Sequence, residues 1–273
     1  MTATSSEAPA AGPPRKATFG NVLGSEWTKI RTVKSTFWTL LAGVVVSIGL
    51  SGLISLGFTS SYDQLSAEDK AQFDTAAFSL VGLNFGMVAF GVLGVLVITG
   101  EYATGMIRTS LTAMPRRTEY LAAKALALTG LVLVVGLVVS FASFFLAQLV
   151  YATKDLDGSL GDPGVLRAVI GGAVYLTLIA LISLGVGMLL RHTAGAVTTV
   201  LGVLFVLPII GSFLPGSWGD NLAKVLPSNA GGMMMSAREM DDALSPWAGG
   251  LVFALYTVVV LAAAFFSFNK RDA

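Results

Sequence analysis

The sequence predicts an all-α polytopic membrane protein with six transmembrane helices, and three observations carry that expectation. Six long runs contain no Asp, Glu, Lys or Arg: Phe37–Phe58, Phe78–Thr99, Ala125–Val150, Ala168–Leu190, Ala194–Leu214 and Trp247–Phe268. Each holds at least 21 residues, and a helix needs ~20 to cross the hydrocarbon core. Hydrophobic residues make up 54% of the chain and charged residues 12%, against roughly 25% charged in soluble domains. The runs also fail to alternate polar with apolar, as barrel strands would over ~10 residues. Only helices are then left to satisfy the backbone in lipid.

Residues 1–17 are rich in Ala, Pro, Ser and Thr and read as a disordered cytoplasmic tail. Over 18–36, Phe19, Leu23, Trp27 and Ile30 keep helical spacing, with Arg31 and Lys34 following. That pattern predicts a helix lying in the membrane interface, anchored by Trp27. The first span carries Gly43, Ser47, Ser51 and Ser55 at every fourth position. The second opens with the GxxxG pair Gly82 and Gly86. Small residues let helix backbones approach closely, so this stripe serves either packing within one chain or a seam between two.

In loop 59–77, Ser66 followed by Asp69 suits a helix start. Loop 151–167 is turn-rich. Only Arg191, His192 and Thr193 separate spans four and five, which predicts a tight hairpin. Pro208 is expected to kink the fifth span. Pro215–Pro246 holds Leu222, Val225, Leu226 and Met233–Met235, too apolar to leave in water. It is expected to lie on the membrane or dip back into the protein.

Charge is distributed asymmetrically. The segments 1–36, 100–124, 191–193 and 269–273 hold 12 Lys+Arg and 5 Asp+Glu. The opposite side holds 5 Lys+Arg and 11 Asp+Glu. The Lys/Arg excess marks the cytoplasmic side and places both termini there.

Residues 100–117 join spans two and three on that side. Set on one helix over Glu101–Ala113, Glu101, Thr104, Arg108 and Thr112 share a face, with Tyr102, Met106 and Ala113 roughly opposite. Glu101 would sit near the helix N-terminus, where a negative charge is favourable. Pro115 would end the helix, and Arg116, Arg117 and Lys124 would mark the membrane boundary. On physical grounds alone, this is either an amphipathic force-transmitting helix or a solvated basic loop.

Gly100-Glu101-Tyr102-x-x-Gly105-x-x-Arg108-Thr109-x-Leu111-x-x-x-Pro115-Arg116-Arg117, followed by Leu121-x-Ala123-Lys124, resembles the export-type ABC transporter permease family. Ser25-Glu26-Trp27-Thr28-Lys29-Ile30-Arg31-Thr32 before the first span is similar to its actinobacterial members, and Leu226-Pro227-Ser228-Asn229-Ala230-Gly231 fits too. The resemblance implies an elbow helix at 18–36 containing Glu26, Trp27, Lys29 and Arg31. It implies a permease domain over 37–268 and a cytoplasmic tail at 269–273. Its coupling helix maps to Glu101–Met114, with Glu101, Tyr102, Thr104, Arg108, Pro115, Arg116 and Arg117 as ATPase-coupling residues. Glu101 would anchor that helix, and Arg108 would pair with it or with the ATPase. The implied partners are a cytoplasmic ABC ATPase carrying ATP and Mg, a second copy of the chain or a related permease, and the lipids of a bacterial plasma membrane.

The chain lacks G-x-x-x-x-G-K-[ST], so this sequence contains no P-loop. No catalytic residue, metal ligand, cofactor site or nucleic-acid site is predicted in it. With no cysteine, thiol chemistry is excluded. His192 is the sole histidine, and no H-E-x-x-H occurs. An ion-coupled carrier would need ionisable groups inside the spans; the apolar runs offer only Tyr175 and Tyr256, beside the amides Asn84 and Gln148. A non-transporting scaffold or immunity subunit is the remaining alternative.

Overall fold

The computed structural model describes residues 18–113, 116–240 and 243–270, and all regular structure among them is helical. Helix α1 (Phe19–Thr32) starts at Thr18, whose hydroxyl accepts the Asn21 amide at 3.4 Å. It stops at Val33, whose extended backbone (φ −77°, ψ 118°) turns the chain into α2 (Lys34–Ser61), the first span. Two short helices follow, α3 (Ala67–Ala71) and α4 (Thr75–Ser79). Ser66 caps α3 by accepting the Asp69 amide at 3.1 Å, as its spacing predicts. The second span is α5 (Leu83–Ala103), followed by α6 (Met106–Ala113). Next come α7 (Arg117–Tyr151) and α8 (Val165–Leu190), spans three and four.

The fifth span is interrupted. It runs as α9 (Thr193–Leu201), a π-helical turn over Gly202–Val206, and α10 (Leu207–Ser212). Pro208 lies one residue into α10. Proline has no amide for the preceding turn, and the widened π turn takes up the mismatch. Helices α11 (Ser217–Val225) and α12 (Pro227–Gly232) and a 3₁₀ turn at Met233–Met235 then lead to α13 (Pro246–Lys270), the sixth span.

Spans two and four form the centre, with 56% and 61% of their most apolar windows buried, against 22% for spans five and six. Small residues make that centre close. Cβ atoms added at Gly82 and Gly86 would overlap the Ser47 carbonyl and hydroxyl of α2. The Gly82 amide donates to Ser51 Oγ at 3.1 Å. On the opposite side, Gly94 lies against the Ala180 carbonyl of α8. The stripe on the first span is therefore used within one chain.

The segment before the sixth span folds back into the protein. Gly231 lies against Tyr175 and Phe253, and the Ala230 carbonyl against Gly249. Leu226 and Met235 are buried, while Leu222 stays exposed. Asp74 fastens the segment. One carboxylate oxygen accepts Ser236 Oγ at 2.8 Å and the Ala237 and Arg238 amides at 2.9 and 3.1 Å. The other accepts the Ala77 amide at 3.0 Å and caps α4. From its far side, Arg167 donates to the Ser236 and Ala237 carbonyls at 3.0 and 3.2 Å.

Candidate functional site

Four charged side chains meet where α1, α5 and α7 converge, at the end of the bundle that holds both described chain ends. Glu26 and Lys29 come from α1, Glu101 from the last turn of α5, and Lys124 from the second turn of α7. Lys29 Nζ lies 2.7 Å from Glu26 Oε1 and 2.9 Å from Glu101 Oε1. Lys124 Nζ lies 2.9 Å from Glu101 Oε1 and also binds Glu26 Oε2. Each carboxylate thus contacts both ammonium groups, and the charges alternate around a closed ring. Tyr120 donates its hydroxyl to Glu101 Oε2. Its ring lies under both ammonium groups, at 5.8 Å from Lys29 and 5.3 Å from Lys124.

The ring is dry. Glu26 and Lys124 are 1% exposed and Glu101 is 4% exposed. Buried ions cost several kcal/mol each unless paired with good geometry; here two negative and two positive groups cancel. Lys29 is the wetter member, half-buried at the rim. Burial lowers its pKa, but hydrogen bonds and attraction from Glu26 and Glu101 outweigh that and hold it above its ordinary value.

The ring joins elements far apart in sequence. It pins α1 to spans two and three, and Lys29 Nζ also reaches Ser110 Oγ of α6 at 3.4 Å. Beside it, α6 buries Ile107 and exposes Arg108, Thr109 and Thr112. A cavity of about 290 Å³ opens against the ring, between α1, the start of α2 and the end of α5.

Several sequence expectations need correction. A single helix over Glu101–Met114 does not form. The second span continues through Ala103, and Gly105 then takes a left-handed conformation (φ +70°) that ends it and redirects the chain. Glu101 therefore lies in a C-terminal turn, where the helix dipole disfavours a carboxylate; the two lysines compensate. The shared face of Glu101, Thr104, Arg108 and Thr112 is lost at Gly105. Glu101 pairs with Lys29 and Lys124, whereas Arg108 is exposed and makes no ion pair among the described residues. Apart from these corrections, the stripe of α1 that packs on the protein is Val22, Glu26 and Ile30, which leaves Trp27, 40% exposed, on the outer face.

Tyr102 and Thr104 are not in the ring. Tyr102 is half-buried under the Arg191 guanidinium, 5.3 Å from its ring centre, and Thr104 is exposed. Arg116 pairs with Glu119 at 2.7 Å on the surface. Arg117 donates to the Phe268 carbonyl at 3.1 Å, tying span three to the end of span six. Arg31 is exposed. Met114, Pro115, residues 1–17 and residues 271–273 lie outside the described residues; Asn269 and Lys270, expected in the C-terminal tail, instead complete the last turn of α13.

Lys124 and Tyr120 are the members that sequence reasoning missed. Lys124 stands just outside an apolar run, so hydropathy assigns it to the boundary. Yet α7 starts at Arg117, and a Lys two turns into a helix, 1% exposed, is an interior residue. The available signal was spacing: Tyr120, Ala123, Lys124 and Ala127 are i, i+3, i+4 and i+7.

The fold and this junction define a multi-pass helical membrane protein with two peripheral helices held at one end of the bundle. A family model described as ABC-2 family transporter protein matches residues 21–273, and the chain belongs to that family. No curated protein matches it. Permease domains of this family are transmembrane subunits without an ATPase site.

Proposed function

We propose that this chain is the permease subunit of an ATP-driven exporter in a bacterial plasma membrane, with both termini cytoplasmic. A separate ABC ATPase would hold ATP and Mg, and two permease subunits would enclose the pathway. The Lys/Arg asymmetry supports the orientation, and the family supports an ATPase partner.

The observation that carries the coupling is the closed ring. A helix can pass force into a bundle only if it is fixed to it. The exposed face of α6, with Arg108, Thr109 and Thr112, suits contact with a soluble partner. The ring fixes α1, span two and span three to one another beside it. Displacement of α6 by an ATPase closing on ATP would then move those elements as a unit and change access to the pathway. Mostly apolar spans suit an amphiphilic substrate.

Purification in mild detergent with mass spectrometry of associated proteins tests this reading. A stoichiometric P-loop ATPase supports it. Reproducible absence of one, with the protein folded, overturns it in favour of a scaffold.

A further inference from the structure

At the end of the bundle opposite the chain termini, a groove of about 550 Å³ opens between spans four and six. That volume lies within the ~300–1,000 Å³ of ordinary ligand sites. Its walls are Leu166, Ile170 and Val174 of α8 and Trp247 and Leu251 of α13, and Met234 closes its floor. Gly171 makes the floor possible, because a Cβ there would overlap the Met234 carbonyl. From Leu166 to Val174 the wall runs about 12 Å along the helix, close to the ~15 Å depth of one hydrocarbon leaflet.

Among the described residues, one charged side chain lines this groove. Arg167 sits near the helix start, at its mouth, and is half-buried. It donates through one nitrogen to the Ser236 and Ala237 carbonyls and makes no ion pair among the described residues. Asp74, on the other side of that turn, is taken up by the Ser236 hydroxyl and the Ala237 and Arg238 amides. Trp247, 72% exposed, stands at the same mouth, the level where bilayers favour indole rings.

We infer that this groove is a binding site for one anionic phospholipid of the adjoining leaflet. One acyl chain lies against Ile170, Val174 and Leu251, and the phosphate rests on Arg167. An apolar slot of leaflet depth fits a chain. A guanidinium with free donors at its mouth fits a phosphate. Among the described residues no carboxylate lines the groove, so a cationic headgroup meets no counter-charge from them. This site does not depend on the exporter reading.

The test is native mass spectrometry of the full chain released from nanodiscs containing equal parts phosphatidylglycerol and phosphatidylcholine. The wild type should retain one lipid, with phosphatidylglycerol enriched roughly fivefold, as one cation at the membrane surface gives. Arg167→Gln should keep the bound lipid and lose the enrichment. Ile170→Trp should lose the lipid, because it fills the groove from a residue already 42% exposed. If Arg167→Gln fails to fold, Ile170→Trp decides. Retention of lipid at the bulk ratio by the wild type, unchanged retention in Ile170→Trp, or a lipid-free dimer closed over this face would each overturn the assignment.

Discussion

Lys124→Met removes one corner of the ionic ring while keeping the length and most of the volume of the side chain. Glu26 and Glu101 would then share Lys29 alone, at a site where Glu26 is 1% and Glu101 4% exposed. Breaking a buried pair from one side costs about 3–5 kcal/mol, because a charge is left uncompensated. The least expensive escape is for α1 to lift away and hydrate Glu26. The native chain has no cysteine, so Val22→Cys, on the buried face of α1 and 8% exposed in the parent, supplies a single reporter. Its rate of thiol modification in detergent measures the fraction of undocked α1. A shift of 3 kcal/mol corresponds to at least about a hundredfold faster labelling. Adding Glu26→Gln to Lys124→Met removes one charge of each sign and leaves the 2.9 Å Lys29–Glu101 pair. That double variant should recover about 0.5–3 kcal/mol. Labelling of Lys124→Met within twofold of the parent would refute the claim that the ring holds α1. So would a double variant that labels faster than the single one.

Other predictions can be checked in the same way. Lys29 has a raised pKa, so its contribution is complete below its ordinary value near 10.5 and is lost only as pH rises beyond it; Val22→Cys labelling, divided at each pH by that of the denatured protein so that the thiol's own ionisation cancels, should stay flat through neutral pH and rise in strongly alkaline buffer. Gly82→Ala should sharply reduce the folded fraction on size exclusion, because its Cβ would overlap the Ser47 carbonyl oxygen and the Ser51 amide of α2, while Gly49→Ala, with open space around it, should be silent. Asp74→Ala strips the partner from three amides and a hydroxyl and should cost on the order of 2–4 kcal/mol in thermal unfolding. Arg108→Glu should leave folding unchanged, since the residue is exposed, but weaken association with the ATPase in pull-down.

The six spans were legible in the sequence because hydrocarbon imposes one requirement on every residue in it, and an uncharged run reports it directly. The ends of the helices were not. The apolar run of span two ends at Thr99, but the helix continues to Ala103, and that of span three begins at Ala125, eight residues after α7 starts. Those extra turns carry Glu101, Tyr120 and Lys124. Hydropathy reads exposure to lipid, and a charge neutralised inside protein is invisible to it. Periodicity likewise marked α1 as amphipathic and assigned Trp27 to the membrane interface, but it did not report the face that packs on the protein. There a carboxylate flanked by Val22 and Ile30 is buried because lysine partners await it. The motif around Gly100–Arg117 drew attention to this segment through family resemblance. Its physical content, a buried Glu101 and a left-handed Gly105, needed the third dimension. The serine–glycine stripe was ambiguous for the same reason, since small residues fit any close neighbour.

The most direct test of the central claim is a photo-crosslinking residue at Thr109, on the exposed face of α6, used in membranes of the native host. Coupling through α6 predicts a crosslink to a P-loop ATPase whose yield changes when ATP is trapped. A folded protein that gives no ATPase adduct from Thr109, while the ATPase crosslinks elsewhere or not at all, would contradict it.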